Sequence, residues 1–587
     1  MSAKPSSLGP ARMQRGGASP GRTRLLALRV AALARRMGGV TRAATAWQSG
    51  LASLWRALDA LPQAPCPQAW LVAICLALFL PGFFSIQPLD LGETDIAVAT
   101  RAMLEGGSLL GIPPGDAGPI GIHWLQAAAV RALEALHLAH RHGIPAYRLV
   151  SLLGAVLAVL ATWHWGRALV GRSAAFLGAG MLAGCAMLVA MAHLATAEAA
   201  GLAAATAAMG LFAAAYVGPA RVTAGQAAGF WLAVAAGLLL AGPVALLPPL
   251  LAGLTLAAAD RRAPWLRALR PLQAPLLLAG LVLAWRAAGG DLPTPWPGLA
   301  AGEPQPGRHL LLLAATAFPA GWILLLALPA AWRERQQPAV RFLLAWAGPA
   351  WLAFELMPWG IGAVLPLFPA LMLLAARWAM GGHRPPVVLL VIAGQLLAAA
   401  AGAIAFKTFE VAGLDIRELP YGVLAILAAT LLVWRLLAHG RARAWARAAL
   451  LGTLLAAPLY AAVLQGTLSH LPVARIADRI AGTAWRVAPD LRPGQFGVLG
   501  FDRASLPFAF GGAVQGLEDG PAAARFLAAA PGRVVAIADL REGQFRRAAE
   551  ALGLEVEEAA TILSFDPYID DFGIMIFYRA AGAAAGR

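Results

Sequence analysis

The chain has 587 residues, 59% of them hydrophobic and 13% charged, a composition outside the range of soluble globular domains and inside that of membrane proteins. Its net charge of +16 is carried by short arginine clusters between apolar runs and not by a stripe interleaved with aromatics, which excludes nucleic acid as a partner and points to membrane topology. Cys66, Cys75 and Cys185 offer neither a disulfide framework nor a zinc-knuckle spacing.

Residues 1–68 carry ten Lys/Arg against the single acid Asp59. They lack an early hydrophobic core with a small-residue cleavage site, so the first span is expected to act as an uncleaved anchor behind a basic cytoplasmic segment. Within it, residues 23–58 place apolar side chains at helical spacing with arginines on the other face, the pattern of a helix lying on an anionic membrane surface. A helix needs about 20 apolar residues to cross the hydrocarbon core, and this criterion gives roughly thirteen spans. They are expected near 69–86, 147–168, 173–192, 195–217, 226–241, 244–259, 272–288, 308–331, 341–357, 361–379, 387–406, 421–438 and 447–467, with a short hairpin turning at Gly242-Pro243.

Lys/Arg enrichment marks cytoplasmic loops. Arg167 and Arg172, Arg221, Arg261 to Arg270, Arg333 to Arg341, Arg377 and Arg384, and Arg441 to Arg447 all fall on alternate connections. With the N-terminus inside, an odd number of spans puts the C-terminal domain outside, in the periplasm if the cell is bacterial, so the expected location is the bacterial inner membrane.

Two segments outside the membrane are long enough for chemistry. The outer loop 87–146 reads as two helices broken at Gly106-Gly107 and by IPPGDAGPIG. The second helix aligns Ile122, Leu125, Ala129, Leu133 and Leu136 on one face, which predicts that it lies along the interface. In the tail, 468–587, FGVLGF, RVVAIADL and IMIFYRA have the pattern of strands, and GPAAARFLAAA and REGQFRRAAEALG that of helices. This makes a small α/β domain with no Gly-rich phosphate loop and no Gly-x-Ser-x-Gly elbow, so its composition reads as a binding or packing module.

Several segments together resemble the bacterial branch of the protein O-mannosyltransferase and lipid A aminoarabinose transferase family, membrane glycosyltransferases of the C type. LDLGETDIAVATRAMLEGG matches the family's first-loop Asp-Glu-x-Arg motif and the helix that follows it, and GPIGIHWLQAAAV matches Lys-Pro-Pro-x-x-x-Trp-Leu. MAHLATAEAAGLAA, LLLAGPVALLPPLL, VLPLFPALMLLAA and LGFDRASLPFAFGG match later family segments. The resemblance implies a polytopic α-helical membrane protein of the GT-C type with a periplasmic α/β domain: 1–68 as the cytoplasmic segment, 69–467 as the glycosyltransferase-like domain and 468–587 as the soluble domain. It also implies transfer of a sugar from a polyprenyl-phosphate donor to a lipid, glycan or protein acceptor, with membrane lipids as further partners.

Such chemistry needs a carboxylate as general base and groups that stabilise the departing phosphate. The family's polar signature is eroded here: its first-loop Asp aligns with Gly92, its Arg with Asp95, and two lysines with Gly118 and Ala241. Pro358 to Ala363 replace a Lys and a His-Tyr pair, and only Lys4 and Lys407 are lysines. The carboxylates that remain are Glu93 and Asp95, with Asp90 beside them, and Glu198, which aligns with a family Asp. Glu93 and Asp95 also read as acids of a helix's first turn, and Glu198 as a helix-end carboxylate in interfacial water.

The phosphate candidates are Arg101, Arg131, Arg308 and Lys407, since guanidinium suits bidentate phosphate contact; Arg101, at i+8 from Glu93, lies close to the same helix face. His123, Trp124 and His193 are candidates for the acceptor side or the loop, against the plainer reading of interfacial residues. Some family members use a divalent metal; Glu93 and Glu198 are its expected ligands if one is held, and no other cofactor is implied. The motif losses also admit a catalytically inactive relative that binds a polyprenyl carrier or glycan in an envelope-glycan pathway. A transporter or flippase would call for an inverted repeat, and none is evident.

Overall fold

The computed structural model describes residues 56–57, 59–89, 92–106, 118–138, 143–287, 304–381, 444–461, 476–501, 503–566 and 571–581. Most of the amphipathic segment 23–58, the expected spans 387–406 and 421–438, Asp90 and Lys407 lie outside them.

The first helix, α1, covers Pro67–Phe79 and is shorter than the apolar run suggests, because Pro81 and Gly82, the latter at φ +81°, turn the chain before Ile86. The outer loop holds α2 (Glu93–Glu105) and α3 (Ile120–Ala135), as its glycine punctuation predicts. The apolar stripe of α3 is split: Ile122 is buried and Ala129 and Leu133 pack partly buried against the bundle. Ile122, His123, Gln126, Ala127 and Val130 are buried, whereas Leu125 and Leu136 are exposed, as suits side chains turned toward lipid.

The bundle follows with α4 (Ile144–Val170), α5 (Arg172–Ala183), α6 (Ala186–Ala192), α7 (Glu198–Val217), α8 (Ala224–Ala241) and α9 (Leu247–Asp260). It continues with α10 (Pro264–Ala268), α11 (Gln273–Ala287), α12 (Arg308–Thr316), α13 (Gly321–Arg333), α14 (Pro338–Leu356), α15 (Phe368–Met380) and α16 (Ala444–Ala461). Helices in lipid associate through small residues that let backbones approach. A Cβ on Gly154 of α4 would sit 2.7 Å from the Ala200 backbone of α7, so this crossing depends on the glycine.

Among the described residues, five helical stretches are long and apolar enough to cross a membrane, and α5 with α6, bent by 60°, make a sixth. One of the five, 224–260, folds back at Gly242: a Cβ on Gly237 would touch that of Ala245, and Ala241 lies against Gly201 of α7. Phe212 of α7 meets Phe230 of α8 and the neighbourhood of Gly253 in α9, as the predicted hairpin requires. The expected span 308–331 is instead two helices, α12 and α13, interrupted around Pro319.

One end of the bundle is rich in arginine. There Tyr216, ending α7, donates to Asp260, ending α9; Asp260 pairs with Arg341 at the start of α14; and Arg377, ending α15, binds Glu334 beyond α13. The soluble domain docks at the opposite end.

That domain is a five-stranded sheet in the order β2-β1-β3-β5-β4: β1 (Phe496–Leu499), β2 (Gln515–Leu517), β3 (Val534–Ala538), β4 (Val556–Asp566) and β5 (Asp571–Ala580). Strands β1, β2 and β3 are parallel, β5 pairs antiparallel with β3, and β4 pairs antiparallel with β5. Helices α17 (Ile476–Val487) and α18 (Ser505–Phe510) cover one face, and α19 (Gly520–Ala528) and α20 (Asp539–Ala551) the other.

Phe508 of α18 leaves this core and buries itself among Ala97, Val130, Ile144, Tyr147 and Ala195 at the bundle end, its ring 5.8 Å from that of Tyr147. Truncating a buried Phe to Ala removes about 3–5 kcal/mol. Phe508→Ala is therefore expected to speed hydrogen exchange of the α18 amides while the β1 and β3 amides keep their protection.

Candidate functional site

The arginine-poor end is organised around a buried ion pair. Gly92, at φ +82°, turns the chain into α2 so that Glu93 points inward, and Arg148, in the second turn of α4, meets it with Nε–Oε1 at 2.6 Å and Nη2–Oε2 at 2.9 Å. Both side chains are fully buried. The other acceptor positions of Glu93 take the amides of Ala195 (2.9 Å) and Leu89 (3.1 Å). The remaining donors of Arg148 reach the carbonyls of Phe83, Ile86 and Gln87.

Every donor of the guanidinium and all four acceptor positions of the carboxylate are thus used. The pair fastens α2, α4, the turn after α1 and the segment before α7. Glu93 is not placed as a general base: with its oxygens filled it has no lone pair for an acceptor proton. For the same reason the pair Glu93 and Glu198 does not fit a divalent ion, and among the described residues no three His, Cys, Asp or Glu side chains form a metal-sized group.

A second buried network sits two turns further along α2. The Thr100 hydroxyl lies 2.7 Å from His123 Nδ1 and 2.8 Å from Gln126 Oε1, and Gln126 Nε2 donates to the Ala195 carbonyl. His123 is completely buried, so it packs the loop and does not face an acceptor. Its neighbour Trp124 is half-buried. His193 is likewise enclosed, its ring nitrogens 2.7 Å and 2.8 Å from the carbonyls of Val189 and Pro81.

Arg101 departs from the face it was expected to share with Glu93. It donates to the Pro507 carbonyl at 3.0 Å, lies over the Phe508 ring and approaches Glu105. These contacts seat the soluble domain, while its Nη1 is buried with no hydrogen-bond partner. Asp95 and Arg131 are exposed on α2 and α3.

Glu198 is placed differently. It opens α7 and is half-buried, and its Oε2 is shielded from solvent with no hydrogen-bond partner. The hydroxyl of Thr196, two residues earlier, is also buried and unpartnered. Buried polar atoms are nearly always paired, so two orphans in one turn mark a place where a ligand or water completes the structure. Opposite lies the 3₁₀ segment Ile361–Leu367. A Cβ on Gly362 would come 3.1 Å from Glu198 Cγ, so the glycine leaves room for the carboxylate.

Nearby, Glu355 at the end of α14 caps α12 by accepting from the amides of Gly307, His309 and Leu310 and from the Trp351 indole. This cap holds the half-buried Arg308 at the first position of α12. Sequence reasoning missed both Arg148 and Glu355. Each is an ionisable residue inside an apolar span, which is itself a signal of an internal partner.

No protein-family model matches the chain, and no curated protein matches it in sequence. Among solved structures, ArnT from Cupriavidus metallidurans in the apo state is similar over 88% of this chain and 99% of its own, at 17% identity and a TM-score of 0.69. The same protein bound to undecaprenyl phosphate matches over 89% and 100%, at 16% identity and a TM-score of 0.67. Bundle, outer loop and soluble domain together thus have the fold of the lipid A aminoarabinose transferase ArnT, a C-type membrane glycosyltransferase.

Proposed function

We propose that the protein is a membrane glycosyltransferase that moves a sugar from a polyprenyl-phosphate donor to a lipid, glycan or protein acceptor, with Glu198 as general base. The observation that carries this reading is the buried, unpartnered carboxylate oxygen of Glu198 at the bundle end where the soluble domain docks. The acceptor hydroxyl oxygen attacks C1 of the sugar, the bond between C1 and the phosphate oxygen breaks, and Glu198 takes the hydroxyl proton. The polyprenyl phosphate leaves with the bonding pair, and Arg308 is the cation assigned to meet it. The neighbour bound to undecaprenyl phosphate favours a polyprenyl carrier.

The arginine-rich end is assigned to the cytoplasm by its charge, which sets the N-terminus inside and the site and soluble domain at the outer face of a bacterial inner membrane. The test is mass spectrometry of polyprenyl-phosphate sugars incubated with the protein in nanodiscs and an envelope-lipid extract. Consumption of the donor with release of polyprenyl phosphate is expected; a donor that binds and never turns over overturns transfer.

A second reading, a binding protein without transferase activity, is favoured by Gly92. The position that aligns with the family's Asp carries no side chain, and the adjacent Glu93 is consumed by Arg148.

A further inference from the structure

The flank of the bundle toward its arginine-rich end holds a groove that the transfer site does not use. It lies between the last turns of α4 and α7 and has a volume of about 430 Å³, with His164, Trp165, Arg167 and Ala168 on one side and Gly210 and Ala214 on the other. Small residues of α7 make room for it. Gly210 is buried, and a Cβ there would overlap the Trp165 indole, so that ring lies on the α7 backbone and forms a wall of the groove.

The groove faces lipid. Leu153 and Leu157 share a face of α4 with His164 and Ala168 by helical spacing, and all four are exposed. An ionisable side chain on such a face suggests a function by default. His164 comes six residues before Val170, where α4 ends, or about 9 Å along the axis. Trp163 and Trp165 flank it, which sets this turn at headgroup level, where tryptophan concentrates.

The head of the groove is prearranged for an anion. Arg167 lies over the Trp163 ring at 4.5 Å, its Nε donates to the His164 carbonyl at 3.2 Å, and its Nη2 donates to His164 Nδ1 at 3.1 Å. With Nδ1 accepting, the proton of the neutral ring sits on Nε2. His164 Nε2 and Arg167 Nη1 are thus two donors fixed against one another, and neither has a partner among the described residues. Other arginines of this end, Arg221 and Arg261 among them, stand in the connections beyond the long helices. Arg167 stands inside α4, at the head of an apolar groove.

From this arrangement we infer that the groove binds an anionic phospholipid of the leaflet at the arginine-rich end. Its phosphate meets Arg167 and His164, and one acyl chain lies along Trp165 over Gly210 and Ala214. Basic pockets between transmembrane helices recognise anionic headgroups in this way. A zwitterionic headgroup fits less well, because it brings an ammonium beside the guanidinium. The inference does not depend on sugar transfer.

The test is native mass spectrometry of the full-length protein released from detergent and titrated with dioleoyl phosphatidylglycerol or dioleoyl phosphatidylcholine. The first phosphatidylglycerol is expected to bind about tenfold more tightly than phosphatidylcholine, the gain of a charge-assisted contact, and Arg167→Ala to remove that margin. Arg221→Ala takes the same charge from the same end and should keep the margin. Ala168→Phe fills the groove from its exposed side and should weaken binding of both lipids. Arg167, Ala168 and Arg221 are all exposed, so these variants should melt like the wild type.

Equal binding of the two lipids by the wild type, or an Arg167→Ala protein that keeps the preference, overturns the site. An equal loss in Arg167→Ala and Arg221→Ala also overturns it, by showing attraction to the whole basic end. Ala168→Phe binding like the wild type would put the lipid outside the groove. Undecaprenyl phosphate that displaces phosphatidylglycerol at equal concentration would overturn the phospholipid assignment. Glu198→Gln should bind phosphatidylglycerol like the wild type, so failure here and failure of the transferase reading are separable.

Discussion

Arg148→Met is expected to unfold the arginine-poor end of the protein, and it is the most destabilising single substitution we foresee. The guanidinium makes a bidentate contact with Glu93 and reaches three backbone carbonyls. Removing it leaves a fully buried carboxylate with two amides and no cation. Breaking a buried ion pair by deleting one partner costs about 3–5 kcal/mol, most of it the penalty on the charge left behind. The carbonyls of Phe83, Ile86 and Gln87 lose their donor as well, each a further cost of about 1–3 kcal/mol where water cannot replace it.

Thermal melts in detergent should show a lowered midpoint for Arg148→Met, and hydrogen exchange should place the loss in α2 and the first turns of α4. Glu93→Gln keeps the shape and removes the charge, so it should be milder. The double variant should recover part of the loss of Arg148→Met, since the stranded charge is gone. A single variant that melts like the wild type would mean the pair is not the fastening it looks to be. Equal losses in the single and double variants would locate the cost in the carbonyls alone.

This ion pair also shows where the sequence stops being informative. The helices were legible because apolar length is a strong signal, and the alternating arginine clusters ordered their ends. The breaks were less so: Pro81-Gly82 ends α1 early, and the chain around Pro319 divides an apparently continuous run, because local backbone chemistry overrides average hydropathy. In the soluble domain three strands and two helices were readable. The edge strand β4 was missed because VEEAATILSFD opens on acids and carries few branched apolar residues.

The site was the hardest to read. Glu93 and Arg101 share a helix and nearly a face in projection, yet one turns into the bundle and the other reaches Pro507, over four hundred residues later. Spacing on a helix cannot report a partner brought by tertiary packing. His123 and His193 went the same way: each could have been chemical, and each is held by buried hydrogen bonds. Glu198 was named from the sequence, but that one of its oxygens is shielded and unpartnered could come only from the fold.

Glu198→Gln separates the proposed chemistry from the fold. The amide keeps the volume and one carbonyl oxygen but cannot take a proton at neutral pH, so transfer should fall by about 10²- to 10⁴-fold, the range a positioned general base supplies. Stability should hold or rise slightly, because the carboxylate loses no hydrogen bond in the change: its buried oxygen has none. Binding of the polyprenyl carrier, followed by mass spectrometry of co-purified lipid, should be retained.

Gly362→Ala acts from the other side. Its Cβ would press on Glu198 from 3.1 Å, turning the carboxylate without changing its chemistry, so turnover should fall by a smaller factor while the carrier stays bound. A protein in which Glu198→Gln turns over at the wild-type rate would remove this carboxylate from the reaction and leave the exposed Asp95 as the next acid to test. One in which wild type and variant alike hold the carrier and never release it would favour the binding protein over the enzyme.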